Sequence, residues 1–169
     1  MFEFREKKVK RMALLYRKVA IGSDHAAIRE KQELKDYLVS LGVEVNDIGA
    51  HTTDRVDYPC IASTLCGVVL AGTSEVGVLL CGTGIGVSIA ANKMEGIRAG
   101  LCHNEYCARM AREHNDANVV CAGVRVLGIE VIKAILLAFL TTPFAGPGTH
   151  HAERVVVVVV VVVTQLGAG

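Results

Sequence analysis

Cys81 is well placed for chemistry, because it stands between an apolar run and a glycine-rich loop. Residues 76–80 are apolar and too few for a helix, which predicts a strand buried on both faces. The loop Gly82-Thr83-Gly84-Ile85-Gly86 follows, and small residues that suit a helix continue over 87–92. A thiol between the end of a strand and the start of a helix lies in a positive field, which favours the thiolate.

The alternate glycines of this loop indicate an anion site. Without Cβ atoms, backbone amides can approach a ligand closely at the start of a helix. The loop is not the dinucleotide fingerprint, because Val87 stands where that pattern requires its third glycine, so a nicotinamide cofactor is not predicted. From this stretch alone, a tight turn beside a structural cysteine remains an equal alternative.

The rest of the chain alternates segments with strand and helix character. Strands are predicted over residues 19–23, 43–48, 76–80, 97–102 and 118–122, and helices over 27–41, 59–72, 87–92, 104–114 and 127–140. Repeated βαβ units require a parallel sheet with right-handed crossovers. We therefore predict an α/β fold, a Rossmann-like three-layer α/β/α sandwich with a five-stranded parallel sheet and a C-terminal helical extension.

Polar or reactive residues follow each predicted strand, directly after the first, third and fourth and after intervening residues in the second and fifth. In chain order they are Asp24 and His25, Asp57 and Tyr58, Cys81 and its loop, His103, and Arg125. Ligands of such sheets bind beyond the carboxyl ends of the strands, at the switch point. Each residue alone has a structural alternative, such as a helix cap or a solvated charge, but together they predict a ligand site at this edge.

Charge divides the 169 residues unevenly. Residues 1–18 hold seven Lys and Arg against two Glu, a net of +5, and the remainder holds 11 basic against 15 acidic residues, a net of −4. We predict a basic N-terminal extension over 1–17, one α/β domain over 18–142, and a C-terminal loop and tail over 143–169. An exposed arm explains the extension better than contact with nucleic acid or membrane lipid, and neither partner is predicted.

The six cysteines are predicted to be reduced thiols in a cytoplasmic compartment. The sequence has no C-x-x-C pair, no zinc-like Cys and His spacing and no signal peptide, so neither disulfides nor a metal is expected. The nine valines over 155–163 are too few for a membrane-spanning helix, which needs about twenty residues.

Seven short motifs, in order, resemble those of the ribose/galactose isomerase family. They are GSDHA at 22–26, DYP at 57–59, CGTGIG at 81–86, IAANK at 89–93, GIRA at 96–99, EHNDANV at 113–119 and GVR at 123–125. The pattern is most similar to ribose-5-phosphate isomerase type B and covers residues 18–154. This resemblance implies interconversion of D-ribose 5-phosphate and D-ribulose 5-phosphate through a cis-enediolate in the pentose phosphate pathway, with no cofactor.

The resemblance also implies a role for each matched residue. Cys81 corresponds to the base, and His114, assisted by Thr83, to the group that opens the sugar ring. The amides of Gly82, Thr83, Gly84, Ile85 and Gly86 would stabilise the enediolate. Further substrate contacts would come from Asp24, His25, Tyr58, Asn115, Arg125, His150 and Arg154. Position alone would favour His103 over His114, because His103 directly follows a strand.

In the family the site is shared between subunits, so the resemblance implies a homodimer or tetramer, with the segment around His114 and the arginine Arg125 reaching across.

The sequence departs from the family pattern at two places. His150 occupies a position where the family usually has arginine, which predicts weaker phosphate binding as pH rises, and the valine run replaces the family's terminal helix. Isomerisation of a six-carbon sugar phosphate, and a non-catalytic phosphometabolite-binding module, remain as alternatives.

Overall fold

The structure, a computed structural model, describes residues 14–155, in which strands and helices alternate. The strands are β1 (Lys18–Ser23), β2 (Glu44–Gly49), β3 (Val76–Cys81), β4 (Ala99–Leu101) and β5 (Val119–Gly123). The helices are α1 (Ile28–Ser40), α2 (Tyr58–Leu70), α3 (Ile85–Ala91), α4 (Glu105–Asn115) and α5 (Ile129–Thr141), with a 3-10 turn at His25–Ala27. Residues 150–155 are also helical. The predicted extension over 1–17 and the valine run lie almost entirely outside the described residues.

The five strands form one parallel sheet in the order β2-β1-β3-β5-β4. From the central pair of β1 and β3, the chain runs outward to β2 on one side and to β5 and β4 on the other. The switch point of the sheet is therefore the crevice between the carboxyl ends of β1 and β3. The predicted five-stranded parallel α/β fold is confirmed.

Helices cover both faces of the sheet, which explains why β3 is buried along its whole length. On one face, Leu34 and Leu38 of α1 pack in a cluster with Ile135 and Phe139 of α5. On the other face, α2 and α3 supply a second cluster that includes Leu65 and Val87. Full burial of such a side chain stabilises the fold by about 1.5–3 kcal/mol. The order of the layers follows from these two clusters.

Most elements begin or end one or two residues away from the sequence-based prediction, and two of the differences have a clear physical reason. The fourth strand is three residues long rather than six, because β4 is an edge strand whose first partner is a side chain: the amide of Arg98 donates to Oδ1 of Asn118 at 2.9 Å. The first helix is preceded by the 3-10 turn, because the carboxylate of Asp24 accepts a hydrogen bond from the amide of Ala26 at 2.9 Å and starts that turn early.

A buried ion pair holds α1 against β2. Lys31 is only 2% exposed, and its Nζ donates to Oδ1 of Asp47 at 2.5 Å. Asp47 also accepts hydrogen bonds from the amide of Gly49 at 3.1 Å and from Lys35 at 3.2 Å. Burial alone would raise the pKa of Asp47, but the hydrogen bonds from Lys31, Gly49 and Lys35 outweigh it, so the pKa of this carboxyl is lowered. The carboxyl end of β2 is thereby tied to the helix behind it.

Candidate active site

Asp24 and Cys81 meet at the switch point, each immediately after or at the end of one of the two central strands. The amide of Asp24 donates to the carbonyl of Leu80, the residue before Cys81, at 3.3 Å. Asp24 is 8% exposed and Cys81 is 5% exposed, so each is buried but not sealed from solvent. The pairing of β1 with β3 therefore places a carboxylate and a thiol side by side along the crevice.

The sulfur of Cys81 receives a hydrogen bond from its own loop. The amide of Gly84 donates to Sγ at 3.1 Å. Gly84 has a left-handed backbone with φ of 78°, and a Cβ there would lie 2.6 Å from Cδ1 of Leu101 and 2.9 Å from the carbonyl carbon of Ala122. Only glycine fits this position, and its amide is held within hydrogen-bond distance of the sulfur.

The start of the loop is held by the two residues that follow β5. The carbonyl of Cys81 accepts from the amide of Val124 at 3.0 Å, and the carbonyl of Gly82 accepts from the amide of Arg125 at 2.9 Å. Thr83 is exposed, and its Oγ1 accepts from the amide of Ile85 at 3.3 Å. The loop thus has a defined shape, and its threonine hydroxyl faces the open side.

Arg125 lies over the glycine loop of its own chain. A Cβ on Gly82 would lie 3.3 Å from Cδ and 3.4 Å from both Nε and Nη1 of Arg125. The side chain is exposed, so its guanidinium is available to an anion at the loop. This placement corrects the expectation from the resemblance that Arg125 reaches across to another subunit.

His25 and Tyr58 border the same crevice. His25 is exposed in the 3-10 turn after β1, and its Nδ1 accepts a hydrogen bond from the amide of Val56 at 3.4 Å. The ring of Tyr58, the first residue of α2, packs so closely against Gly86 that a Cβ there would lie 2.7 Å from Cζ. Ile85 and Gly86 begin α3, and Gly86 lies against Tyr58.

Ten of the predicted site residues are therefore grouped around the carboxyl ends of the central strands. They are Asp24, His25, Tyr58, Cys81, Gly82, Thr83, Gly84, Ile85, Gly86 and Arg125. His103, the rival histidine, follows β4 on the same edge but lies two strands away from β3.

The other four predicted site residues lie elsewhere in the chain. Nε of Arg98 donates to the carbonyl of Asn115 at 3.2 Å, and Arg98 directly precedes β4, so the end of α4 lies at the amino edge of the sheet. β5 spans five residues, roughly 16 Å at about 3.3 Å per residue. The structure therefore does not bring His114 and Asn115 together with Cys81 in one chain.

Arg112 anchors the last turn of α4, which carries His114. Its Nη1 donates to the carbonyl of Ala117 at 2.5 Å and pairs with the carboxylate of Asp116 at 3.0 Å. Its guanidinium carbon also lies 4.8 Å from the centre of the Tyr16 ring. Asp116 then ends the helix with a positive φ of 46°. The backbone that carries His114 is consequently well fixed.

Three histidine rings meet at this amino edge. The rings of His114 and His151 stack with their centroids 4.0 Å apart and their planes within 5°. His150 lies 3.8 Å from His151 at a tilt of 42°. The sequence-based prediction assigned no role to His151. Its contact with His114 spans 37 positions of the chain, and the only local signal was its place three residues before Arg154.

A cavity of ≈ 520 Å³ opens beside the histidines. Residues 92–100 line it together with Asn115 and Arg154, among others. Cys81 is not part of its wall, so the cavity belongs to the amino-edge group. The predicted residues thus form two separate groups, one with the thiol and one with the histidines and Arg154.

Burial limits the chemistry of three further thiols, Cys66, Cys102 and Cys121. All six cysteines are free. Burial raises the pKa of Cys66 to about 11, and burial with the nearby Cys107 raises that of Cys102 to about 12. Burial, with Cys66, Cys102 and Cys81 nearby, also raises the pKa of Cys121. Cys66, Cys102 and Cys121 therefore stay protonated near neutral pH.

Residues 14–155 contain no metal-binding cluster and no membrane-spanning helix. No group of three or more His, Cys, Asp or Glu side chains in this part of the chain could hold a metal ion. None of the helices described there has the length and apolar character needed to cross a membrane.

Comparison with known proteins gives consistent matches. The sequence model of the Ribose/Galactose Isomerase family matches residues 19–158. The chain is 45% identical over 139 residues to ribose-5-phosphate isomerase B of Escherichia coli, covering 82% of this chain and 92% of that protein. It is also 45% identical over 132 residues to D-erythrulose-4-phosphate isomerase of Pectobacterium atrosepticum, covering 78% and 87%.

A solved structure shares the fold. Ribose-5-phosphate isomerase B of Clostridium thermocellum superposes with a TM-score of 0.85 at 42% identity, covering 88% of this chain and 99% of that one. The family-model match over residues 19–158 includes β2 to β5 and every predicted site residue.

Proposed function

Because the chain belongs to the ribose/galactose isomerase family, we propose that it interconverts D-ribose 5-phosphate and D-ribulose 5-phosphate through a cis-enediolate. The observation that carries this proposal is the hydrogen bond from the amide of Gly84 to Sγ of Cys81, at the switch point of the sheet. An isomerase needs a base beside a set of oxyanion donors, and a simple binding module needs no such base.

Cys81 is the base in this proposal. As the thiolate, it removes the proton from C2 of the open-chain aldose, and the resulting enediolate is then protonated at C1 to give the ketose. The hydroxyl proton of O2 passes to O1 in the same sequence, so the aldose and the ketose carry the same number of protons. The amide of Gly84 supports the charged sulfur before the proton is taken.

The oxyanion of the enediolate is assigned to the remaining loop amides. The amide of Gly84 is directed at Sγ, and that of Ile85 at Oγ1 of Thr83. The amides of Gly82, Thr83 and Gly86 are therefore the proposed donors. Arg125, which lies over Gly82, adds a permanent positive charge next to the developing negative charge.

The two groups of site residues lead us to propose a homodimer, or a tetramer built from such dimers, with shared active sites. His114 and Cys81 occupy opposite edges of the sheet, so a complete site requires the amino-edge group of a second copy. The surface around the crevice favours such contact, because Ile85 and Ile89 of α3 are 51% and 56% exposed and Tyr58, which packs on Gly86 of the same helix, is 39% exposed. Exposed apolar side chains in a cluster are typical of interfaces.

The remaining roles follow from the type and place of each residue. His114, with Thr83, opens the furanose ring by moving the proton of the anomeric hydroxyl to the ring oxygen. His25, His150 and Arg154 bind phosphate, a task suited to cationic side chains. Asp24, Tyr58 and Asn115 bind the sugar hydroxyls and position the substrate.

Conversion of ribose 5-phosphate to its ketose by the purified full-length chain tests the proposal. We expect Cys81→Ala to lower kcat by about 10²–10⁴-fold, the usual contribution of a general base, with substrate affinity retained. Cys107→Ala is the matched control, because Cys107 is a half-buried thiol on α4 that packs against the core cluster on the other face of the sheet from the cluster of Cys81, and it should keep wild-type turnover.

Two results would contradict the proposal. Unchanged turnover in Cys81→Ala would remove the thiol from its role. A wild-type chain that binds ribose 5-phosphate without converting it would identify a binding module. Parallel assays with four-carbon and six-carbon aldose phosphates decide whether the pocket prefers another chain length.

A further inference from the structure

His151 has no role in the mechanism above, yet it makes the closest ring contact with His114. The two imidazoles stack face to face, with centroids 4.0 Å apart and planes within 5°. His151 belongs to the helical residues 150–155, whereas His114 lies in the last turn of α4. Two elements that are far apart in sequence therefore converge on one pair of rings.

No hydrogen bond within residues 14–155 orients the ring of His114. Neither of its ring nitrogens pairs with a protein group there, and its recorded ring contact is the stack with His151. A histidine that must receive and return a proton needs a defined ring plane with both nitrogens accessible. Stacking supplies this arrangement, because it restrains the ring face and leaves the edge free.

The imidazole of His151 has the properties of a flat, uncharged stacking surface. Its Nδ1 is buried and has no hydrogen-bond partner among the described residues. Burial, followed by His114, His150 and Arg154, lowers the pKa of His151, and Glu113 of α4 opposes this effect. These groups include those of its own segment and those of α4, which faces it. A neutral ring can stack closely on His114 without electrostatic repulsion when His114 takes up a proton.

We propose that His151 is a positioning residue for the reaction, whose flat neutral face holds the imidazole of His114 at the angle required for opening the sugar ring. This inference rests on the proposed function, because it presupposes that His114 opens the ring. It separates the roles of two adjacent histidines. His151, stacked, sets the turnover number, and His150, tilted and exposed, binds the phosphate.

Steady-state kinetics of three variants with ribose 5-phosphate test this assignment. His151→Ala removes the ring that stacks on His114. We expect kcat to fall by about 10–100-fold with KM nearly unchanged, because His114 loses its orientation but the substrate contacts stay. His151→Phe keeps a flat uncharged face but no nitrogen, and we expect it to restore kcat to within about threefold of wild type. His150→Ala is the neighbouring comparison, and its main effect should be a higher KM.

Each outcome decides one point. A His151→Ala enzyme with wild-type kcat overturns the positioning role, and so does a His151→Phe enzyme as impaired as His151→Ala, since the nitrogens would then matter. Thermal melting of all variants tests for a folding defect. If His151→Phe recovers activity while its melting temperature is similar to that of His151→Ala, a folding defect does not explain the lower kcat of His151→Ala. If wild-type enzyme shows no isomerase activity, the proposed function fails as well. An active wild type with insensitive His151 variants defeats only this inference.

Discussion

Cys81 and His114 lie at opposite edges of the same parallel sheet. Cys81 ends β3, whereas His114 stands in the last turn of α4, next to the residues that precede β4 and β5. Every strand-to-helix unit returns the chain to the amino edge, so one subunit cannot close this distance without losing the sheet. A site that uses both residues must be assembled from two subunits.

Mixing two inactive variants should therefore restore activity. If Cys81→Ala and His114→Ala subunits exchange freely, half of the dimers are mixed, and each mixed dimer has one intact site. We expect about a quarter of wild-type activity from an equimolar mixture. The measurement is ribose 5-phosphate isomerisation after co-refolding or co-expression. Neither variant alone should regain activity under the same treatment, and mixed dimers without activity would place the complete site within one chain.

Gly84→Ala should damage both stability and turnover. The new Cβ would meet Leu101 and the backbone of Ala122, in a backbone conformation that disfavours alanine. We expect a loss of about 1–3 kcal/mol in the free energy of unfolding. Turnover should fall as well, because the amide that donates to Cys81 must move.

Gly67→Ala provides the control for this change. Gly67 lies within α2, is exposed, and has no atom within 4 Å of an added Cβ. Alanine there should leave activity unchanged and stabilise the helix by about 0.5–1 kcal/mol. Chemical denaturation together with kinetics measures both effects. A Gly84→Ala enzyme with wild-type turnover would show that the amide contact is dispensable.

The ion pair of Lys31 with Asp47 should make stability depend on acidity. Because the folded protein lowers the pKa of Asp47, its contribution is fully present above the carboxyl's ordinary value of 3.8 and is lost as pH falls through the lower folded value. Thermal melting of wild type should therefore show a steeper drop below pH 3.8 than melting of Asp47→Asn.

At neutral pH, Asp47→Asn should cost about 3–5 kcal/mol, because it leaves Lys31 buried without its counter-charge. The double variant Lys31→Met with Asp47→Asn removes both charges and should recover much of that loss. Equal stability of wild type and the single variant would contradict this account. The measurement is the free energy of unfolding from urea titration.

Local patterns in the sequence determined the elements and the thiol with its loop. The apolar run before Cys81 and the alternate glycines after it are contiguous, and strand-helix alternation requires a parallel sheet whatever the order of its strands. Residues that are contiguous in the chain interact locally whatever the tertiary context, so their pattern predicts the local structure. The family motifs, which match in order along the chain, extended the prediction from local structure to a class of substrate.

The tertiary structure alone decided which distant residues meet. Strand order places β5 beside β3, so Arg125 covers Gly82 of its own chain instead of reaching to another. It also places His114 at the far edge, where His151 stacks on it. Such contacts depend on pairing across the sheet and on packing between elements, for which neighbouring residues carry no signal. For that reason the sequence identified the thiol and its loop, and the fold showed that His114 lies at the opposite edge of the sheet.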